Sequence, residues 1–119
     1  MGTTTVQVRL ANVTDPDRQV DVDMIVDSGA IYSVVSTPIL RGIGIEPQKM
    51  ETFRLADGRA VRRQVGHALF DIQGRSAPSR VIFGRRGDAC LLGMVALEEL
   101  GLALDPLKRR LRPLTLMIA

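Results

Sequence analysis

A short-period alternation constrains the fold more than any other feature of the chain. Residues 19–26 (QVDVDMIV) set Val20, Val22, Met24 and Val26 on one side and Gln19, Asp21 and Asp23 on the other. A repeat of two is what an extended strand with one buried face requires. Residues 3–10 (TTTVQVRL) repeat it, with Thr5, Gln7 and Arg9 against Val6, Val8 and Leu10, and Asn12 to Asp17 (NVTDPD) between the two runs is a turn by composition. A further apolar run spans Ile31 to Val35. Runs at 50–56 and 59–65 flank Asp57-Gly58, a strong hairpin signal, and 67–73 pairs with 79–83 around Gly74. Thr37-Pro38-Ile39-Leu40 predicts a single helical turn, with Thr37 as its cap and Gly42 as its stop. A helical period occurs at MVALEEL, where Met94, Leu97 and Leu100 share a face, Glu98 and Glu99 point away and Gly101 terminates the turn. Short strands at Leu102–Leu104, around Leu111 and at Leu114–Ile118 complete the reading. Many short strands and about one true helix predict a mainly β barrel or sandwich, in one domain spanning residues 1–119.

Composition narrows the function. Apolar residues make up 45% and charged residues 24% of the 119, a globular balance, and the apolar runs stay well short of the 18 residues a spanning helix needs. The N-terminus has no basic stretch followed by an apolar run, so a cytoplasmic protein is expected. One cysteine (Cys90) and one histidine (His67) leave no internal disulfide and no structural zinc site. Gly42-Ile43-Gly44 is too short for a dinucleotide fingerprint, and there is no phosphate-loop lysine, so no cofactor and no metal are expected. The net charge of +3 is uneven: residues 1–53 carry 4 basic and 7 acidic groups, residues 54–119 carry 12 and 6. The basic groups form short clusters (Arg62-Arg63, Arg85-Arg86, Lys108-Arg109-Arg110), which reads as solvated strand edges and turns that discourage edge-to-edge pairing. Aromatic residues are 3%, with no Trp, which argues against base-stacking modules, so neither nucleic acid nor membrane is expected as a partner.

The segment that carries chemistry is Met24 to Val35. Asp27-Ser28-Gly29-Ala30 sits between VDMIV and IYSVVS, two of the most apolar stretches in the chain. Asp, Ser and Gly suit a plain β-turn, but a carboxylate pressed against a core is costly unless paired or hydrogen-bonded, which makes Asp27 a functional candidate.

These residues carry a resemblance. M-I-V-D-S-G-A-I-Y-S is similar to the active-site loop of aspartic proteases, in which apolar residues precede Asp-Ser/Thr-Gly-Ala/Ser and a Ser or Thr follows three residues later, here Ser33. L-L-G-M-V-A-L-E-E-L-G-L resembles the apolar-apolar-Gly segment and helix near the end of retropepsin-like domains, and Asp57-Gly58, 30 residues beyond Asp27, falls where that family has its flap. Together the matches cover roughly residues 5 to 117, and the chain looks most like the short, single-domain cellular members. The resemblance implies a closed β-barrel of the acid-protease type with one short C-terminal helix, working as a homodimer. The family's chemistry needs two carboxylates around one water, and this chain has one D-S-G, so Asp27 of two identical subunits would meet at a two-fold axis. Ser28 would bond across that axis, Gly29 would let its backbone approach the carboxylate, and Ala30 with Leu55, Ala56, Asp57 and Gly58 of the flap would bind a protein or peptide substrate. The chain ends TTTVQVRL and LTLMIA would interleave in a dimer sheet. The viral members carry a charged pair beginning with Arg after the Gly, which braces the subunit; Met94-Val95 stands here, so that brace is absent or made differently. The flap is rich in arginine (Arg54, Arg59, Arg62, Arg63), which implies a stiffer opening or a preference for acidic peptides.

The rival readings are weaker. A Ser28–His67–Asp hydrolase triad lacks the strand–G-x-S-x-G–helix elbow, and His67 reads as a surface or core residue. Cys90 and Tyr32 read as packing residues. A non-catalytic retropepsin-like dimerisation or peptide-binding module is the alternative to an aspartic endopeptidase, though such a module has no evident reason to hold a carboxylate at a dimer axis.

Overall fold

The computed structural model describes residues 3–114, and the alternation governs how their strands meet. Strands β1 (Thr4–Ala11) and β2 (Gln19–Val26) form an antiparallel hairpin in the register Val8↔Val22 and Leu10↔Val20, which puts both apolar rows on one face. The connection is an Asx-type turn. The Asn12 side-chain oxygen accepts from the Thr14 amide (3.0 Å), the Thr14 hydroxyl (2.9 Å) and the Asp15 amide (3.2 Å), while its Nδ2 donates to the Ile43 carbonyl at 3.0 Å.

After β3 (Ser33–Ser36) comes helix α1 (Thr37–Gly42), then β4 (Lys49–Arg54), β5 (Ala60–Ile72), β6 (Arg75–Gly84), β7 (Leu91–Leu92), helix α2 (Met94–Leu100), β8 (Leu102–Asp105) and β9 (Arg110–Pro113). Seven strands share one sheet in the order β1-β2-β7-β3-β6-β5-β4, and β1 also pairs with β5 through Leu10↔Phe70. That extra pairing closes the sheet into the expected barrel, which removes edges that would otherwise be open to aggregation. Inside lie Val8, Leu10, Met24, Val35, Phe70, Phe83 and Leu92, all at most 2% exposed. Helix α2 plugs the barrel with Ala96, Leu97 and Leu100, and Gly101, at φ 69°, ends it in the left-handed conformation that favours glycine. None of the described helices is long and apolar enough to cross a membrane.

Several sequence expectations shift. The runs 59–65 and 67–73 are one 13-residue strand, β5, because Gly66 does not break it: a Cβ there would lie 3.1 Å from both the Phe83 ring and the Glu46 carbonyl, so the bare backbone lets both approach. The strand β6 begins at Arg75, not at 79, behind a two-residue turn with Gln73 (φ 54°) and Gly74 (φ 80°) both left-handed, as a type I′ turn demands. Thr37 is not the helix cap; Ser36 holds that position without a side-chain bond, and the Thr37 hydroxyl donates instead to the Gly84 carbonyl at 2.9 Å. Gly42 closes α1, and the positive φ falls at Gly44 (78°). The strand expected at Ile31–Val35 starts at Ser33, because the Ala30 and Ile31 carbonyls turn toward the amides of Met94 (2.9 Å) and Val95 (3.0 Å). The N-terminal run expected in a dimer sheet forms β1, bonded within its own chain to β2 along its length and to β5 at Arg9–Ala11. Residues 115–119 of the other terminus, and with them most of the strand expected at Leu114–Ile118, lie outside the described residues. The β8–β9 pair is a small separate ribbon in the register Leu104↔Leu111.

The packing predicts how the chain responds to truncation. Phe70→Ala should cost about 3–5 kcal/mol, a large buried ring lost from the centre of the barrel, whereas Leu107→Ala, at a site 94% exposed, should stay within about 0.5 kcal/mol. Urea denaturation of the two variants beside the parent chain checks both values.

Candidate active site

Asp27 stands at the end of β2, held by its strand neighbours. β2 runs parallel to β7 in the register Ile25↔Leu91 and Val26↔Leu92, and the Asp27 amide donates to the Leu92 carbonyl at 3.2 Å. Beyond it the chain reverses in a tight loop. The Gly29 amide donates to Asp27 Oδ1 at 2.8 Å and the Ala30 amide to the Asp27 carbonyl at 3.1 Å. A Cβ on Gly29 would sit 3.2 Å from that same Oδ1, so glycine keeps the carboxylate and the backbone in contact.

A second segment locks this loop from beneath. The Gly93 amide donates to the Ser33 hydroxyl oxygen at 3.0 Å, and Ser33 is fully buried. A Cβ on Gly93 would lie 2.5 Å from the Tyr32 carbonyl carbon, an overlap backbone cannot absorb. The Met94 and Val95 amides hold the Ala30 and Ile31 carbonyls. At Met94-Val95, where the resemblance places a charged pair, the loop is held by backbone amides at the start of α2. Ser33 and Gly93 enter the sequence reading only through the resemblance. The signal for Ser33 is a hydroxyl inside an apolar strand, which needs a buried partner.

The loop faces outward. Asp27 is half-buried while Ser28 and Gly29 are exposed, and Ile31 is 64% exposed. In a single chain the carboxylate is therefore not pressed into the core, as its apolar flanks predict, but sits at a surface recess of about 310 Å³ lined by Thr4, Val26, Ser28, Leu104, Pro106 and Arg109.

The second candidate group forms the tip of the β4–β5 hairpin. Its loop has five residues, Leu55 to Arg59, rather than the two that Asp-Gly alone suggests. The Gly58 amide (φ 89°) donates to the Leu55 carbonyl at 2.9 Å, and the Asp57 carboxylate accepts from the Arg59 amide (3.0 Å) and Nε (2.8 Å). The Arg59 amide, and then its side chain, hold the Asp57 carboxyl below its ordinary range. Ala56 is exposed at the turn, and Leu55 faces a cavity of about 320 Å³ with Val34, Phe53, Val61, Ile82 and Leu91. Phe53 meets Tyr32 edge-on at 6.3 Å, and the Arg80 guanidinium lies over the Tyr32 ring at 5.1 Å, so Tyr32 packs the root of the hairpin against the strand that leaves the active loop.

Two of the four arginines of the hairpin are paired with carboxylates. Arg54 Nη1 donates to the Gly58 carbonyl at 2.7 Å, Arg59 pairs with Asp57, and Arg63 pairs with Asp88 through Nε–Oδ2 at 2.9 Å and Nη2–Oδ1 at 3.3 Å. Arg59 and Arg63 are thus matched by carboxylates, whereas among the described residues none pairs with Arg54 or the exposed Arg62. His67 is exposed and its Nδ1 contacts Gln48 Oε1 at 3.0 Å, on a different recess from the one that holds Ser28. Cys90 is half-buried and packs against the core. Among the described residues no three His, Cys, Asp or Glu side chains are grouped to hold a metal ion.

Residues 17–99 match the sequence profile of the family described as "gag-polyprotein putative aspartyl protease". No curated protein matches the chain. Among solved structures it is similar to the EIAV protease in complex with the inhibitor HBY-793, at 19% identity and a TM-score of 0.61 over 87% of this chain and 93% of that one. It is similar also to the simian foamy virus protease, at 18% identity and a TM-score of 0.55 over 79% of this chain and 91% of that one. The fold is thus the mainly β, retropepsin-like one.

Two measurements test the geometry. Ser33→Ala leaves the buried Gly93 amide without a partner and should cost about 1–3 kcal/mol in urea denaturation, with Gly93→Ala more damaging. Arg63, first, and the Arg85 amide hold the Asp88 carboxyl below its ordinary range against partial burial. That stabilisation is complete above the unfolded carboxylate range and is lost as pH falls through the lower folded value. The stability gap between the parent and Asp88→Asn should therefore be wider at about pH 7 than at about pH 3.

Proposed function

The chain belongs to the gag-polyprotein aspartyl protease family, and from that premise we propose that it is an aspartic endopeptidase whose active site forms when two copies bring Asp27 together. The observation that carries this reading is the Asp27 loop itself: one carboxylate per chain, held by its own backbone, braced from beneath and directed outward. A carboxylate fixed so firmly at an open surface suits a site completed by a symmetric partner.

In that site the two Asp27 carboxyls share one proton, because like charges in contact resist joint ionisation. The ionised Asp27 takes a proton from the bound water, and the water oxygen bonds to the scissile carbonyl carbon. The protonated Asp27 gives its proton to the carbonyl oxygen. The gem-diol then collapses: one of its hydroxyls returns a proton to the ionised Asp27, the C–N bond breaks, and the departing nitrogen takes the proton of the other Asp27, which leaves the pair with one shared proton as at the start. The reaction needs no cofactor. The Gly29 amide orients Asp27 through the 2.8 Å bond, Ser28 bonds across the axis, and Ala30 borders the extended substrate. Leu55, Ala56, Asp57 and Gly58 at the hairpin tip cover the substrate as an added strand would. The partners are thus a second copy and a protein or peptide substrate.

The test is cleavage of a diverse peptide library from acidic to neutral pH by the parent chain and by Asp27→Asn, read by mass spectrometry. The parent should cleave with a bell-shaped pH profile set by the coupled pair, and Asp27→Asn should be inactive while remaining folded. No cleavage by either, with a dimer seen by light scattering, would leave the non-catalytic peptide-binding module; equal cleavage by both would remove Asp27 from the mechanism.

A further inference from the structure

We infer that the Arg63–Asp88 pair decides which substrate side chains the pocket under the hairpin accepts, and that their mutual neutralisation keeps this pocket selective for apolar ones. The inference rests on the peptidase reading above and names the part of that site which selects substrate.

The pocket lies between the hairpin and the strands that hold the catalytic loop. Its roof is Phe53, Leu55 and Val61, and its floor is Val34, Ile82 and Leu91. Val34 follows Asp27 by seven residues, and Leu91 is the Cα partner of both Ile25 and Val34. At about 320 Å³ the cavity is at the small end of ligand pockets, which suits a substrate side chain rather than a separate small molecule.

Arg63 and Asp88 are the charged members of this otherwise apolar wall. Their side chains are 18% and 29% exposed, so water screens them incompletely. The contact is fork to fork, and the guanidinium spends its remaining Nη1 on the Arg62 carbonyl at 2.9 Å. Asp88 is held in turn by the Arg85 amide, which donates to Oδ2 at 2.9 Å. Each charge has its counter-charge within reach, and neither has one to offer an incoming group. An acidic side chain would have to displace Asp88, and a basic one would have to displace Arg63, whereas an apolar one meets only the aliphatic and aromatic walls. Removing one partner should convert the other into a receptor: a lone Arg63 for carboxylates, a lone Asp88 for cations.

The experiment profiles library cleavage by the parent, Asp88→Asn, Arg63→Met and the double variant, with circular dichroism on each. Asp88→Asn keeps an oxygen for the Arg85 amide. Relative to Leu at one position flanking the cut, Asp88→Asn should raise acceptance of Glu or Asp by about tenfold or more, and Arg63→Met should raise acceptance of Lys or Arg by a like factor. The double variant should return to apolar selection. Opposite changes in the two single variants cannot come from a general loosening, and if one of them fails to fold the other still reads the change on its side. An active parent whose profile neither folded variant alters, or one that already prefers acidic residues there, would overturn the inference. A parent that cleaves nothing would overturn the peptidase reading, and this inference with it.

Discussion

The buried contact between the Ser33 hydroxyl and the Gly93 amide is the constraint on which the site depends. It joins segments 60 residues apart at the one place where the barrel must carry a carboxylate outward without letting it move. Glycine at 93 is required because the Tyr32 backbone fills the space of a Cβ, and serine at 33 because a buried amide without a partner costs about as much as a lost hydrogen bond. With this lock made, the start of α2 offers two further amides to Ala30 and Ile31, and the Asp27 turn is held at both ends. The loop is held by backbone geometry, and charged side chains have little part in it.

The rest of the fold serves two faces of that loop. One is the outward recess at Asp27, where Ser28, Leu104, Pro106 and Arg109 border space that the described residues do not fill. The other is the apolar pocket roofed by the hairpin. Most of the hairpin's charged groups are matched among themselves or with nearby residues, Asp57 to Arg59, Glu51 to Lys49 and Arg80, and Arg63 to Asp88. These pairs offset part of the positive charge of the second half-chain and leave Arg54 and Arg62 without a carboxylate partner among the described residues. Net charge describes the whole surface and says little about a site whose charges are internally paired.

What could be read from the sequence was local. The β2 strand shows its face through Val22, Met24 and Val26, and α2 shows its own through Leu97 and Leu100, because each period repeats within a few residues. The Asp27 loop was legible through its position between apolar runs and its likeness to a family. Interactions over long separations were not. Gly66 reads as a break and proves to be the point where Phe83 and Glu46 crowd a continuous strand. Thr37 reads as a cap and instead bonds Gly84, 47 residues away. Nothing in residues 54–63 announces that Arg63 will find Asp88, 25 positions on, so the hairpin reads as more basic than it is. In each case tertiary contact overrode a sound local preference.

The central claim is that two chains each supply one Asp27 to one site, and a mixing experiment addresses it most directly. At a concentration where light scattering reads a dimer, an equal amount of Asp27→Asn chain is added to a fixed amount of parent and allowed to exchange. If the site is shared, random pairing withdraws parent chains into inactive dimers and peptide cleavage falls to about half. Cleavage unchanged by the inactive chain would mean that one chain suffices, and the shared-carboxylate account would be wrong.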